Sequence, residues 1–100
     1  MEIREESREG QIELFISGEI DGTNVNEFEE AVDAASDKTQ SLILNLDGLE
    51  YVSSTGLRVL LTLKKKMRAR GDEVIIRNVG DEVKGIFTVT GFVKLLNIEV

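Results

Sequence analysis

The sequence predicts an α/β fold: a single domain in which three to four helices pack on a mixed sheet of four to five strands that begins with an antiparallel hairpin. Stretches in which apolar and polar residues alternate are followed by stretches whose apolar residues recur at helical spacing. This order is typical of strands joined by helical crossovers, which make part of the sheet parallel. The length of 100 residues suffices for one hydrophobic core, so residues 1–100 are expected to form one domain.

Two strands are predicted near the N-terminus, over residues 3–7 and 11–17. Apolar and polar residues alternate in the second strand, and the side expected to be buried carries Ile12, Leu14 and Ile16. Phe15 interrupts this alternation and predicts that the opposite side is partly covered as well. The short connection at Glu9 and Gly10 indicates a hairpin.

A predicted loop with two glycines, residues 18–22, precedes the first helix. Thr23 or Asn24 can cap this helix, and Asn24 with Glu27 has the spacing of a capping box. Its apolar stripe, which should lie on the sheet, comprises Val25, Phe28, Ala31, Val32 and Ala35. The acidic residues outside the stripe indicate a solvated face or, alternatively, a surface for a partner.

The middle of the chain predicts a buried strand, a polar loop and a long helix. Residues 41–46 are almost continuously apolar, as in a central strand covered on both faces, and residues 47–52 are expected to form a loop. The helix, residues 54–70, is expected to end at Gly71. A basic cluster occupies the last turns of this helix. It either complements the negative end of the helix dipole or forms a docking patch for a partner. Its members are Lys64, Lys65, Lys66, Arg68 and Arg70.

The last part of the chain predicts one more strand and one more helix. The strand covers residues 73–77, and Gly80 with Asp81 opens the helix. A last apolar turn follows Gly91, and residues 98–100 are expected to add a short edge strand.

The composition excludes most catalytic and metal sites. The chain has no cysteine and no histidine, which removes disulfides, thiolate ligands, the commonest general base and the commonest metal ligand. It contains no phosphate-binding loop, dinucleotide fingerprint or nucleophile elbow. The net charge of -7 disfavours nucleic acids and anionic lipid, and no apolar run is long enough to cross a bilayer. We therefore expect a cytoplasmic binding module with no cofactor, metal site or enzymatic activity.

The side chains best suited to chemistry are hydroxyls that follow one another at the start of the second helix. Ser53, Ser54 and Thr55 directly precede Gly56. Serine and threonine are preferred helix caps, so Ser53 or Ser54 is expected to cap the helix. One cap needs one hydroxyl, and Gly56, which lacks a side chain, is expected to leave the approach to the others open. A phosphoryl group here would add about -1.5 to -2 charges, which the positive end of a helix tolerates.

Three segments of the chain together carry a family signature. They are SGEID at residues 17–21, LILNLDGLEYV at residues 42–52 and SSTGLRVLL at residues 53–61. In their order and spacing they resemble the STAS domain of bacterial anti-sigma factor antagonists, over nearly the whole chain. This resemblance implies a STAS-like fold and a non-enzymatic partner switch controlled by phosphorylation.

In that family, the residue before the glycine is phosphorylated by an anti-sigma factor with a histidine-kinase-like ATPase fold. The unphosphorylated form binds this anti-sigma factor and so releases a sigma factor, and a metal-dependent serine/threonine phosphatase restores it. The resemblance therefore implies phosphorylation of Thr55, with Ser54 as second choice, and contact with the kinase at Asp21. The partner-binding residues that it implies are Asp21, Gly22, Ser53, Ser54, Thr55, Gly56, Leu57 and Arg58.

Two residues depart from the family motif. Ser53 stands where the motif has an aspartate, which removes a charge beside the phosphorylation site, and Thr55 stands where a serine is usual. One alternative is a constitutive, non-phosphorylated interaction or scaffold domain, in a signalling complex or beside a transporter. Another is a small nucleotide-binding or hydrolytic protein. A monomer or a weak homodimer is expected.

Overall fold

The computed structural model describes residues 1–96, and the edge strand expected over residues 98–100 lies outside this part of the chain. The described residues form four strands, three α-helices and one 3-10 helix. In chain order these are β1 (Glu2–Arg8), β2 (Gln11–Ile20), α1 (Val25–Ser36), β3 (Ser41–Val52), α2 (Ser54–Ala69), β4 (Glu73–Arg77), α3 (Asp81–Thr90) and the 3-10 helix (Phe92–Lys94). Within residues 1–96, no helix combines the length and the apolar character needed to cross a membrane.

The strands form one mixed sheet in the order β1-β2-β3-β4. β1 pairs antiparallel with β2, whereas β3 runs parallel to both β2 and β4. The hairpin turns at Glu9 and Gly10, whose φ angles of 49° and 80° lie in the left-handed region that two-residue hairpin loops require. The predicted fold class, a mixed sheet that begins with an antiparallel hairpin, is confirmed.

One hydrophobic core lies between the sheet and the helices. The side chains that enter it from β2, β3 and β4 alternate along each strand, and they are Ile12, Leu14, Ile16, Leu42, Leu44, Leu46, Val74 and Ile76. Phe28 of α1, Leu60 of α2 and Phe87 of α3 are buried in the same core. The three helices therefore pack on one face of the sheet, as amphipathic helices are expected to do.

The opposite face of the sheet is covered by side chains of the strands themselves. Ile43 is buried outside the main core, where the register places it beside Glu13 of β2. Asn45, also buried, donates a hydrogen bond from Nδ2 to Oε2 of Glu13 at 3.0 Å. The guanidinium of Arg4 lies over the ring of Phe15, 4.4 Å from its centroid. The central strand is thus buried on both faces, as predicted, although helices cover only one of them.

β2 and β3 are longer than predicted. Residues 18–20 and 47–52, which were expected to be loops, continue the two strands. At two positions β3 gains one residue over β2, and these bulges let the strands stay paired past the polar residues. Gly48 permits close approach there, because a Cβ atom on it would lie 2.7 Å from Cβ of Ser17. The loop predictions were wrong for residues 18–20 and 47–52, because a bulged strand lacks the regular alternation by which strands are recognised.

α1 begins without the predicted capping box. Asn24 occupies the cap position, but its side chain makes no cap hydrogen bond. Its Oδ1 instead accepts from the backbone N–H of Asp21 at 3.0 Å, and its Nδ2 donates to the carbonyl of Glu19 at 2.9 Å. In a capping box, the side chain of Glu27 would accept a hydrogen bond from the backbone N–H of Asn24. That N–H instead donates to the carbonyl of Asp21 at 3.2 Å. Asn24 thus stabilises the turn before the helix rather than the helix itself.

α2 and α3 end where the sequence predicts breaks. Gly71 follows α2 with a φ of 76°, and its N–H donates to the carbonyl of Arg68 at 3.0 Å. Gly91 follows α3 with a φ of 79°. Both glycines adopt the left-handed conformation that other residues rarely adopt, which confirms them as helix stops.

Two members of the basic cluster connect the C-terminal part of α2 to that of α1. Nζ of Lys66 lies 3.2 Å from Oδ1 of Asp33 and 2.9 Å from Oδ1 of Asp37. Arg70 donates from Nη2 to the carbonyl of Ser36 at 2.8 Å. Part of the cluster therefore stabilises the packing of the two helices. The members that form no ion pair within residues 1–96 are Lys64, Lys65 and Arg68.

Candidate functional site

The hydroxyl cluster lies where two parallel strands end side by side. Ile20 and Val52, the last residues of β2 and β3, are paired in the sheet. The backbone N–H of Ser53 donates to the carbonyl of Ile20 at 2.9 Å. Because both strands run in the same direction, the turn after β2 and the start of α2 are neighbours. The structure therefore brings Asp21 and the hydroxyls of residues 53–55 to one end of the domain.

The three hydroxyls have different surroundings. Ser53 is the N-cap of α2, and its Oγ accepts from the backbone N–H of Gly56 at 3.2 Å, which confirms that one member of the cluster caps the helix. Oγ of Ser53 and Oγ1 of Thr55 share a hydrogen bond of 2.9 Å in which either can donate. Ser54 is exposed and makes no side-chain hydrogen bond within the described residues. Thr55 is thus an exposed hydroxyl whose orientation is fixed by its neighbour.

Gly56 has a packing role instead of the open approach expected from the sequence. It is buried, and a Cβ atom on it would lie 2.7 Å from Cγ2 of Val52 and 2.9 Å from Cγ2 of Ile20. Leu57 is 3% exposed and belongs to the hydrophobic core. Both are interior residues, which contradicts the expectation that they lie on the surface; the partner role of the set as a whole stays a prediction. The exposed or partly exposed members of the predicted set are Asp21, Gly22, Ser53, Ser54, Thr55 and Arg58.

Asp21 is held as a carboxylate by the turn that follows β2. The hydroxyl of Thr23 donates to Oδ1 of Asp21 at 2.6 Å, and the backbone N–H of Thr23 donates to the same atom at 2.9 Å. These hydrogen bonds, that of the hydroxyl above all, lower the pKa of Asp21 because they favour its charged form. Asp21 is therefore an anion at neutral pH. In the part of the chain that the structure describes, no group of three or more acidic side chains could hold a metal ion.

Thr55 also borders a shallow groove between α1 and α2. The groove is lined by Val25, Asn26, Glu29, Thr55, Arg58, Val59 and Thr62. From the sequence, only Thr55 and Arg58 of this set were expected at the site. Asn26 and Glu29 fall outside the apolar stripe of α1, which marks them as exposed, but only the packing of the helices shows that they border the same groove as Thr55.

Tyr51 is a further surface residue, close in sequence to the hydroxyls, that was not singled out from the sequence. It is 45% exposed, lies two residues before Ser53 and pairs with Glu19 of β2. Exposed aromatic residues are enriched in protein interfaces. Its place in the sequence, two residues before the hydroxyl cluster, is a usable signal, although the loop predicted for residues 47–52 does not single it out.

The sequence matches known proteins over almost its full length. The family described as STAS domain matches residues 2–100. The anti-sigma-B factor antagonist of Listeria monocytogenes is 30% identical over an alignment of 101 positions, which covers 99% of this chain and 87% of that protein. The anti-sigma-B factor antagonist of Staphylococcus aureus is 30% identical over 87 residues, which cover 86% of this chain and 81% of that protein.

Solved structures show the same fold. The unphosphorylated anti-sigma factor antagonist SpoIIAA is similar with a TM-score of 0.81 at 18% identity, over 99% of this chain and 89% of that one. An anti-sigma factor antagonist from Mycobacterium paratuberculosis is similar with a TM-score of 0.87 at 23% identity, over 97% and 83%. The fold also occurs within the murine anion transporter Slc26a9, with a TM-score of 0.76 at 18% identity, over 93% of this chain and 16% of the transporter.

Gly56→Ala is expected to lower the free energy of unfolding by about 1–3 kcal/mol, because the added methyl group overpacks the contact of α2 with the strand ends. Gly85→Ala is the matched control, since Gly85 lies in α3 and, apart from its chain neighbours and the backbone of its own helix, no atom of residues 1–96 comes within 4 Å of a Cβ atom placed on it. That alanine should raise the free energy of unfolding by about 0.5–1 kcal/mol. Urea unfolding measures both, and a change of the same sign in the two variants would contradict the packing role of Gly56.

Thr23→Val is expected to raise the pKa of Asp21 towards its ordinary value, because the hydroxyl that donates to the carboxylate is lost. Since the pKa is lowered in the folded state, charged Asp21 stabilises the fold above its ordinary pKa, and this contribution is lost as the pH falls through the lowered value. NMR titration of the Asp21 carboxyl carbon measures the change, with Thr62→Val as the control. An Asp21 pKa that is the same in wild type and Thr23→Val would rule out this cause.

Proposed function

Because the chain belongs to the STAS domain family, whose anti-sigma factor antagonists are non-enzymatic regulators, we propose that it is a partner switch controlled by phosphorylation of Thr55. In this proposal the unphosphorylated chain binds an anti-sigma factor with a histidine-kinase-like ATPase fold, and a sigma factor is released in the bacterial cytoplasm. The anti-sigma factor phosphorylates Thr55, and the complex separates. A serine/threonine phosphatase restores the binding form.

The position of Thr55 is the observation that carries the proposal. Its side chain is exposed in the first turn of α2, with Oγ1 held 2.9 Å from Oγ of Ser53. That turn contains no acidic residue, and the unpaired N–H groups at the start of a helix favour an anion. A phosphate on Thr55 is therefore compatible with the fold, while it changes the charge of the surface around it.

In this proposal, the negative charge of the phosphate on Thr55 causes the complex with the partner to separate. Asp21 is an anion at the same end of the domain as the hydroxyl cluster, and Glu29 lines the groove beside Thr55. A phosphate would add about -1.5 to -2 charges to this end of the domain. Like charges that meet across an interface cost several kcal/mol, so an acidic partner surface would be expelled, and an apolar one would have to desolvate the new charge.

Ser54 is the second candidate for modification. It is exposed, as Thr55 is, and lies one residue earlier in the same turn. Thr55 directly precedes Gly56, as the phosphorylated residue of the family does, and only Thr55 of the two borders the groove between α1 and α2. These two features favour Thr55.

A constitutive interaction domain is the second candidate function. The observation that favours it is Ser53, which stands where the family motif has an aspartate and leaves the phosphorylation site without that charge. In this alternative, Thr55→Ala would behave as wild type in the cell, and the partner would not be an ATPase.

Incubation with the anti-sigma factor and ATP is expected to add one phosphoryl group to the wild-type chain and to Ser54→Ala, and none to Thr55→Ala. Intact-mass spectrometry measures the addition. Thr62→Ala is the matched control, because Thr62 is an exposed threonine of the same helix and lines the same groove; this variant should accept the phosphoryl group. Full modification of Thr55→Ala, or a wild-type chain that binds the anti-sigma factor without being modified, would exclude the proposed switch.

A further inference from the structure

Arg58 is an exposed cation next to the proposed phosphorylation site. It follows Thr55 by three residues in α2, and both side chains line the groove between α1 and α2. Lys66, later in the same helix, and Arg70, which directly follows the helix, form ion pairs with carboxylates of neighbouring residues. Arg58, in contrast, forms no ion pair within residues 1–96. Its guanidinium is therefore available to a ligand on this surface.

We propose that Arg58 is the intramolecular counter-ion of a phosphate on Thr55, a role that rests on the function proposed above. Residues three apart in a helix are neighbours, with Cβ atoms about 5–6 Å apart, which is within reach of an arginine side chain. The planar guanidinium presents donors in a fork that matches two phosphate oxygens.

Of the charged side chains near Thr55, Arg58 is the one that would attract a phosphate. Glu29 of α1 lines the groove opposite, and Asp21 lies in the turn after β2. Asp21 is engaged by the hydroxyl and the N–H of Thr23, and Glu29 forms no ion pair within residues 1–96. Both carboxylates would repel a phosphate, whereas Arg58 would attract it.

This arrangement gives phosphorylation two effects on the partner surface. The phosphate adds negative charge, and it also draws Arg58 into an internal ion pair, so that the cation is no longer available to a partner. An acidic partner surface, which Arg58 can meet in the unphosphorylated chain, would then lose its counter-charge and face an anion instead. The pair thus makes the loss of binding larger than the phosphate charge alone would.

The test places phosphothreonine at residue 55 by genetic encoding, which needs no kinase, and follows the second ionisation of the phosphate by ³¹P NMR. In the wild-type background, the second pKa of the phosphate is expected below its usual value of about 6. Arg58→Gln should raise it by about half a pH unit, because the charge that favours the dianion is removed. Glu29→Gln should lower it, because a repulsive charge is removed.

Arg68→Gln is the matched control, since Arg68 is an exposed arginine of the same helix without an ion pair in the described part of the chain, and it should leave the phosphate pKa unchanged. Equal shifts in Arg58→Gln and Arg68→Gln, or no shift in Arg58→Gln, would overturn the proposal, as would a phosphorylated chain that does not fold. Because the phosphate is introduced without a kinase, a chain that no kinase modifies would refute the proposed function and leave this result intact. If a kinase phosphorylates Thr55 but Arg58→Gln leaves the second pKa of the phosphate unchanged, only the role of Arg58 would be refuted.

Discussion

The start of α2 rests directly on the ends of β2 and β3, and the geometry of the candidate site depends on this contact. Gly56 lies so close to Ile20 and Val52 that a methyl group would not fit between them. Ser53 links β2 to α2, since its N–H donates to the carbonyl of Ile20 and its Oγ accepts from the N–H of Gly56. Close-packed interiors do not deform continuously, so the first turn of α2 has one position on the sheet. Thr55 is therefore presented on a rigid support rather than on a flexible loop.

The two ends of α2 use their polar residues differently. Near its C-terminus, Lys66 and Arg70 are committed to carboxylates and carbonyls of neighbouring residues, which stabilises the packing of α1 against α2. Near its N-terminus, the hydroxyl of Thr55 and the guanidinium of Arg58 face solvent. The ion pairs that hold the two helices together thus lie at the opposite end of α2 from the exposed Thr55 and Arg58. A charge added at Thr55 can change the surface without disturbing the ion pairs that hold the helices together.

Features set by local chemistry could be predicted from the sequence, and features set by distant contacts could not. The hairpin at Glu9 and Gly10 and the glycine stops depend on backbone conformations that glycine favours, and the cap at the hydroxyl cluster depends on side-chain type. The true length of β3 depends on bulges against β2, which no local pattern reveals. The packing role of Gly56 could not be predicted because its neighbours, Ile20 and Val52, come from two strands distant in sequence. Glu29 belongs to the acidic face of α1 for which a partner role was one alternative, but only the packing of the helices places it beside Thr55.

In the proposed switch, the hydroxyl of Thr55 controls whether a partner can cover the end of the domain that is formed by the turn after β2 and the start of α2. Isothermal titration of the anti-sigma factor with the unphosphorylated chain and with the chain that carries phosphothreonine at residue 55 tests it most directly. The phosphorylated chain is expected to bind at least about 100-fold more weakly, as like-charge repulsion of a few kcal/mol implies. Equal affinities of the two forms would contradict the claim.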